Sequence, residues 1–141
     1  MGSPWDVEYN DDKFEKFVES LPEYEQAVLF AAIDHVLAIA GIDICESEWG
    51  KALGDGLYEF RVRKSLNAIL NAAGVDKVED TTSGNDQQVL LRVFCTFHGA
   101  KIVLLFHGYN KKKDPSERRQ NKEIARARKA LKAWKRDEKK S

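Results

Sequence analysis

The sequence predicts an α+β fold, with helices packed on a small, mostly antiparallel sheet in the order β-α-α-β-β-β-α. Three observations carry this. Residues 10–40 show helical spacing of apolar side chains in two runs joined at Ser20-Leu21-Pro22. The stretches Leu57–Arg63, Val89–Phe97 and Lys101–Tyr109 are β-rich, the last two joined through His98-Gly99. Asp114-Pro115-Ser116-Glu117 then opens a long basic segment with one apolar stripe.

The elements follow in order. Trp5 to Tyr9 alternates apolar and polar residues and reads as a short strand. Asn10 or Asp11 can cap a first helix, with Phe14, Phe17, Val18 and Leu21 facing inward. A second helix runs from Glu23 to Ala40 with Tyr24, Val28, Ile33, Val36, Leu37 and Ala40 as its buried stripe, ended by Gly41. Residues 41–56 read as a loop anchored by Trp49 and Leu53. In Leu57–Arg63, strict alternation sets Tyr58, Phe60 and Val62 on one face and Leu57, Glu59, Arg61 and Arg63 on the other. Residues 64–88 form an insert, with a short helix over Ser65–Ala73 and a polar loop over Asp76–Gln87. In the last helix Asp114 is the expected cap and Pro115 the first residue, and Ile124, Ala127, Leu131 and Trp134 mark the apolar face. Residues 135–141 are expected to fray.

The length of 141 residues suits one domain spanning 1–141. No uninterrupted apolar run reaches the length of a membrane span, and that around Ile102–Phe106 is strand-sized, which predicts no membrane span. With no basic-then-apolar leader, the expected location is the cytoplasm. Cys45 and Cys95 form neither a disulfide framework nor a zinc pattern, so no metal or cofactor is expected. Charge is the informative part of the composition. The net charge is zero, yet residues 1–50 carry ten more acids than bases and residues 51–141 ten more bases than acids. A basic second half fits a polyanionic partner such as nucleic acid.

Strand pairing locates candidate chemistry. A two-residue His98-Gly99 loop sets Phe97 opposite Ala100, Arg92 opposite Leu105 and Leu90 opposite His107. Arg92, His107 and Tyr109 then project from one face near the open end of the hairpin, with Lys111, Lys112 and Lys113 following. A three-residue loop would reverse this parity. The opposite face takes Val89, Leu91, Val93, Cys95, Ile102, Leu104 and Phe106. Arg92 in a half-apolar strand needs a partner, and Glu59 is the candidate. RNA is cut by its own 2′-hydroxyl when a base takes the hydroxyl proton, cations hold the phosphorane and an acid serves the leaving oxygen. His and Tyr supply proton transfer, Arg and Lys supply charge, and an aromatic ring stacks on an unpaired base.

The runs GLYEFRVR at Gly56–Arg63, LLRVFCTFHGAKIVLLFHGYNKKKDP at Leu90–Pro115 and ERRQNKEIARARKAL from Glu117 resemble the RelE/ParE superfamily, and most of all HigB-type and phage-derived HigB-like toxins. The likeness covers residues 51–134. It implies a RelE-like fold and the toxin of a type II toxin–antitoxin module: a metal-independent endoribonuclease (mRNA interferase) that cuts mRNA on the ribosome and is neutralised by a helix-turn-helix antitoxin. By position it implies a catalytic set of Arg61, Arg92, His107, Tyr109 and Lys111. It also implies an RNA-binding set of Lys51, Arg63 and Lys112, to which Lys113, Arg118 and Arg119 of the basic segment add. The 64–88 insert departs from the family pattern, and so does the neutral overall charge. ParE relatives share the fold but attack gyrase, so a non-catalytic inhibitor of a protein target is the second reading.

Overall fold

In the computed structural model, which describes residues 4–75 and 87–139, five strands form one sheet in the order β1-β5-β4-β3-β2. The strands are β1 (Asp6–Tyr9), β2 (Gly50–Gly54), β3 (Leu57–Val62), β4 (Leu91–His98) and β5 (Ile102–Asn110). All neighbours are antiparallel except β1, which lies parallel to β5 at one edge. The helices are α1 (Lys13–Glu19), α2 (Glu23–Ala32), α3 (Leu66–Ala72) and α4 (Glu117–Lys139). The α+β class is therefore as expected, with β2 as an added strand.

Region 41–56 is not a loop. After α2 the chain makes a π-helical turn (Ile33–Leu37), a last helical turn (Ala38–Ala40) and a 3-10 segment (Gly41–Glu46) before entering β2. β2 has few β-formers, but it covers the edge of β3 through a two-residue turn. Asp55 and Gly56 in that turn have φ of 58° and 87°. Two successive positive φ values are what an Asp-Gly hairpin turn supplies, so the signal for β2 was present at Asp55-Gly56.

Both faces of the sheet are covered. On one side, Phe14, Phe17 and Val18 of α1 and Val28, Leu29 and Ala32 of α2 pack on Phe60, Val62, Leu91, Val93, Cys95, Val103 and Leu105. On the other, Ala127 and Leu131 of α4 pack on Leu57, Phe94, Leu104, Phe106 and Tyr109. The expectation that no stretch has the length of a membrane span is also corrected. By length and composition alone, Glu23–Glu46 is long and apolar enough to cross a membrane. Isolated charges interrupt it, and Val28, Leu29, Ala32, Ile33, Leu37 and Ile44 from this stretch are core residues.

The insert helix forms as expected, while both ends of the last helix shift. α3 forms within the insert, capped by Ser65, whose hydroxyl accepts from the Ala68 N–H at 3.1 Å. The expected polar loop falls almost wholly outside the described residues. α4 is capped by Ser116 rather than Asp114: the Ser116 hydroxyl accepts from Arg119 N–H at 3.1 Å and donates to Asp114 Oδ1 at 2.7 Å. The helix continues to Lys139 instead of fraying from 135, aided by Lys135 Nζ donating to the Asp55 carbonyl at 2.9 Å.

Gly41 closes the helical hairpin against β1. It has φ of 55°, and a Cβ there would lie 2.0 Å from Cε2 of Trp5. Gly54, at φ of 94°, has open space around it. Gly41→Ala is expected to cost about 2–4 kcal/mol, from left-handed strain plus displacement of the indole. Gly54→Ala should cost only about 1 kcal/mol, from strain alone. Urea unfolding of both variants checks this, and equal losses would remove the steric part of the argument.

Candidate functional site

The β4–β5 register decides which side chains meet. The hairpin loop has three residues, Gly99-Ala100-Lys101, with His98 opposite Ile102. Lys101 takes φ of 64°, the left-handed position such loops require. Near the turn this reverses the expected parity, so Leu104 faces α4 rather than the helical hairpin. A β-bulge then inserts Phe106, and the pairing passes from Cys95↔Leu105 to Phe94↔His107. An extra residue restores the parity beyond it. Arg92 lies opposite Tyr109, not Leu105, and His107 opposite Phe94, not Leu90. Phe106 also lies on the α4 side. The predicted companionship of Arg92, His107 and Tyr109 holds, by a different register.

Two rows cross the sheet on this face. Arg61, Arg92 and Tyr109 are directly paired across β3, β4 and β5. Two residues along lie Lys51, Glu59, Phe94 and His107. Like charges directly opposite each other repel, and Glu59 relieves this repulsion. Its carboxylate is fully buried, accepts from Arg61 Nε at 2.8 Å and lies 3.7 Å from Arg92 Nε. Arg92 is itself buried and also donates to the Leu91 carbonyl at 3.3 Å. Burial lowers its pKa, and Glu59 counters that.

A second carboxylate stands at the α4 side. Glu123 is buried and accepts from Arg119 Nε and from Arg126 Nη1, each at 2.9 Å. His107 Nε2 is 3.5 Å from Glu123 Oε1. Burial pushes Glu123 up, but the two arginine hydrogen bonds outweigh it and hold the group below the usual carboxylate range. Burial, reinforced by Arg126, lowers His107 and outweighs Glu123. Burial, then the Glu59 carboxylate, raises Tyr109. Tyr109 stacks on Phe94, and Arg119 sits over its ring at 5.5 Å from the centroid.

The remaining predicted residues divide. Lys111 is drawn in: burial and then Arg92 lower its pKa, with smaller effects from Glu59, Arg61 and Arg63. Lys51 is exposed on β2, beside Glu59 in register. Arg63 lies exposed just past β3. Lys112 is exposed and lines a hollow beside Tyr24 and Gln87, away from the arginine row. Arg118 is exposed on α4, outside the cavity at Tyr109, whereas its neighbour Arg119 lines it. Sequence reasoning missed Glu123 as the anchor of Arg119 and Arg126; its signal was their i,i+4 and i,i+3 spacing on one helix. No family model, no curated protein and no solved structure matches the chain.

The buried charges generate two predictions. Glu59→Ala strands Arg92 without a counter-charge and is expected to cost about 3–5 kcal/mol in denaturant unfolding. Wild-type stability in that variant would mean that Arg92 has another partner. The second concerns pH. His107 titrates lower in the folded state than its ordinary 6.5, so the unfolded chain binds the extra proton first. The His107 contribution is complete above pH 6.5 and is lost as pH falls through its lower folded value. Glu123, also depressed, adds a loss beginning only below its ordinary 4.5. Thermal melts at stepped pH should show stability declining from about pH 6.5, and His107→Gln should delay that decline to the carboxylate range.

Proposed function

We propose that this protein is the toxin of a type II toxin–antitoxin pair of the RelE/HigB kind, an endoribonuclease that cuts mRNA on the ribosome without a metal ion. The observation that carries the reading is the row of Arg61, Arg92 and Tyr109 across three adjacent strands, with Lys111 at its end. Three cations and a phenol on one face match the needs of a crowded phosphorane. Arg61, Arg92 and Lys111 supply charge to the non-bridging oxygens. His107 and Tyr109 have pKa values pushed apart by their surroundings, the pattern of an acid–base pair. Neutral His107 takes the 2′-hydroxyl proton as the 2′-oxygen bonds to phosphorus. The bond from phosphorus to the 5′-oxygen breaks, and Tyr109 gives that oxygen its proton. The products are a 2′,3′-cyclic phosphate and a free 5′-hydroxyl. Its expected setting is the cytoplasm, with a helix-turn-helix antitoxin as partner.

One observation favours a second reading, a non-catalytic inhibitor of a protein target such as gyrase. Arg92 and Tyr109 are only 3% and 2% exposed, and Arg119 covers the Tyr109 ring. Cleavage therefore requires the Arg119 side chain to swing away, whereas a protein inhibitor would use the outer surface as it stands.

The test is cleavage of mRNA by purified protein with and without ribosomes, in EDTA, with 5′ ends mapped. The Tyr109 hydroxyl has no hydrogen-bond partner among the described residues, so Tyr109→Phe should leave stability intact. It is expected to slow cleavage by about 10²–10⁴-fold. Arg61→Ala should also slow it. Intact mRNA together with lost gyrase supercoiling would replace the nuclease reading with the inhibitor one.

A further inference from the structure

β1 pairs with β5 only from Ile102 to Leu105, after which the chain turns away into α1. The rest of β5 thus has an edge without a strand partner. α1 packs there because residue 108 is glycine: a Cβ at Gly108 would lie 2.5 Å from the Phe17 ring and 2.7 Å from the Arg92 carbonyl oxygen. Between α1, this edge and α4 opens a cleft of about 380 Å³.

The charges around it are unexpected in the acidic half of the chain. Residues 1–50 contain only two cations, Lys13 and Lys16, and both line this cleft. Lys113, Arg119 and Arg126 line it from the other side, against the single carboxylate of Glu123. Lys13 and Lys16 make ion pairs with Asp11 and Asp12 at 3.7 and 3.2 Å, all four side chains more than a third exposed. Such pairs hold their partners weakly. Lys113 has no carboxylate within 4 Å among the described residues. Two polar atoms in the wall, His107 Nε2 and the Tyr109 hydroxyl, are buried and lack a hydrogen-bond partner among the described residues, the nearest carboxylate oxygen to His107 Nε2 being Glu123 Oε1 at 3.5 Å. A buried polar group without a partner is costly and calls for an explanation. A ligand carrying oxygens would satisfy both.

We infer that this cleft is a second anion site, which holds the phosphate next to the scissile one along a single strand of RNA. The inference rests on the reading of the protein as an RNA-cutting enzyme and adds the path of its substrate. Tyr109 is common to the arginine row and to the cleft, so a strand leaving the row at Tyr109 enters between α1 and α4. Lys13, Lys16 and Lys113 take the next phosphate, and Arg126 keeps its hold on Glu123 as Arg119 swings off the Tyr109 ring. The acidic helical hairpin elsewhere repels the strand, so its two lysines mark the one side on which RNA can pass.

The test is fluorescence-anisotropy binding of a single-stranded RNA oligonucleotide methylated at its 2′-oxygens, which cannot be self-cleaved, over a range of salt. Lys13→Ala/Lys16→Ala should weaken binding about tenfold and reduce the log–log salt slope by about 0.7, the value for one released phosphate contact. Lys129→Ala/Lys132→Ala removes the same charge from exposed positions on α4 outside the cleft and should weaken binding far less. Far-UV circular dichroism confirms that both variants fold. Equal effects from the two pairs, or wild-type binding by the α1 pair, would overturn the cleft assignment even if the protein cuts mRNA. Binding that depends on Lys13 and Lys16 without any cleavage of natural RNA would keep the cleft and overturn the nuclease. A wild-type protein that does not bind the RNA would overturn both.

Discussion

The buried carboxylate of Glu59 is the interaction on which the candidate site depends. Two adjacent strands, β3 and β4, bring Arg61 and Arg92 directly opposite each other, an arrangement that repels in isolation. Glu59, wholly enclosed, is bonded to one arginine and close to the other. Burying a charge is tolerated only with a counter-charge in place. The sheet can therefore carry two arginines on a covered face only because a carboxylate sits two residues away on the same strand. Among the described residues Glu59 Oε2 and Arg92 Nε have no hydrogen-bond partner, so there the cluster is balanced in charge but not closed in hydrogen bonding.

α4 repeats the same device. Its apolar stripe seals the second face through Ala127 and Leu131. One turn away Glu123 gathers Arg119 and Arg126 while lying close to His107. Each carboxylate thus organises two arginines, and Tyr109 lies between the two groups, feeling both. The consequence is a pair of titratable groups with opposite shifts on one strand, His107 lowered and Tyr109 raised. Desolvation is the leading cause of both. The helix that covers the sheet is therefore also what tunes it.

Much of the fold was legible before any coordinates. Phe14, Phe17 and Val18 declared the inner face of α1 by spacing, and Phe60 and Val62 the core face of β3 by alternation. β2 was not recognised because Lys51, Ala52 and Leu53 carry little strand preference. It exists because the edge of β3 is there to be paired, and Asp55-Gly56 turns the chain onto it. Residues on the face opposite the helical hairpin were harder to place. Leu104 and Phe106 looked like members of the first core, yet they belong to the second, because a three-residue loop and a bulge each moved the register by one.

Sequence by itself determined the elements, the separation of acidic from basic halves, and the residue types that meet at the end of the hairpin. These are local matters: side-chain periodicity, turn chemistry and charge order are written along the chain. Only the tertiary structure decided that Arg61, Arg92 and Tyr109 form one row, that Glu59 neutralises its arginines while Glu123 holds Arg119 and Arg126 beside it, and that Lys13 and Lys16 line one cleft with Arg119. Those relations depend on strand register and on how α1 and α4 flank β5. A single residue inserted at Phe106 reverses which face every later side chain occupies. The insertion lies between Leu105, packed in the core under the helical hairpin, and Phe106, packed under α4, a division visible only once both faces are covered.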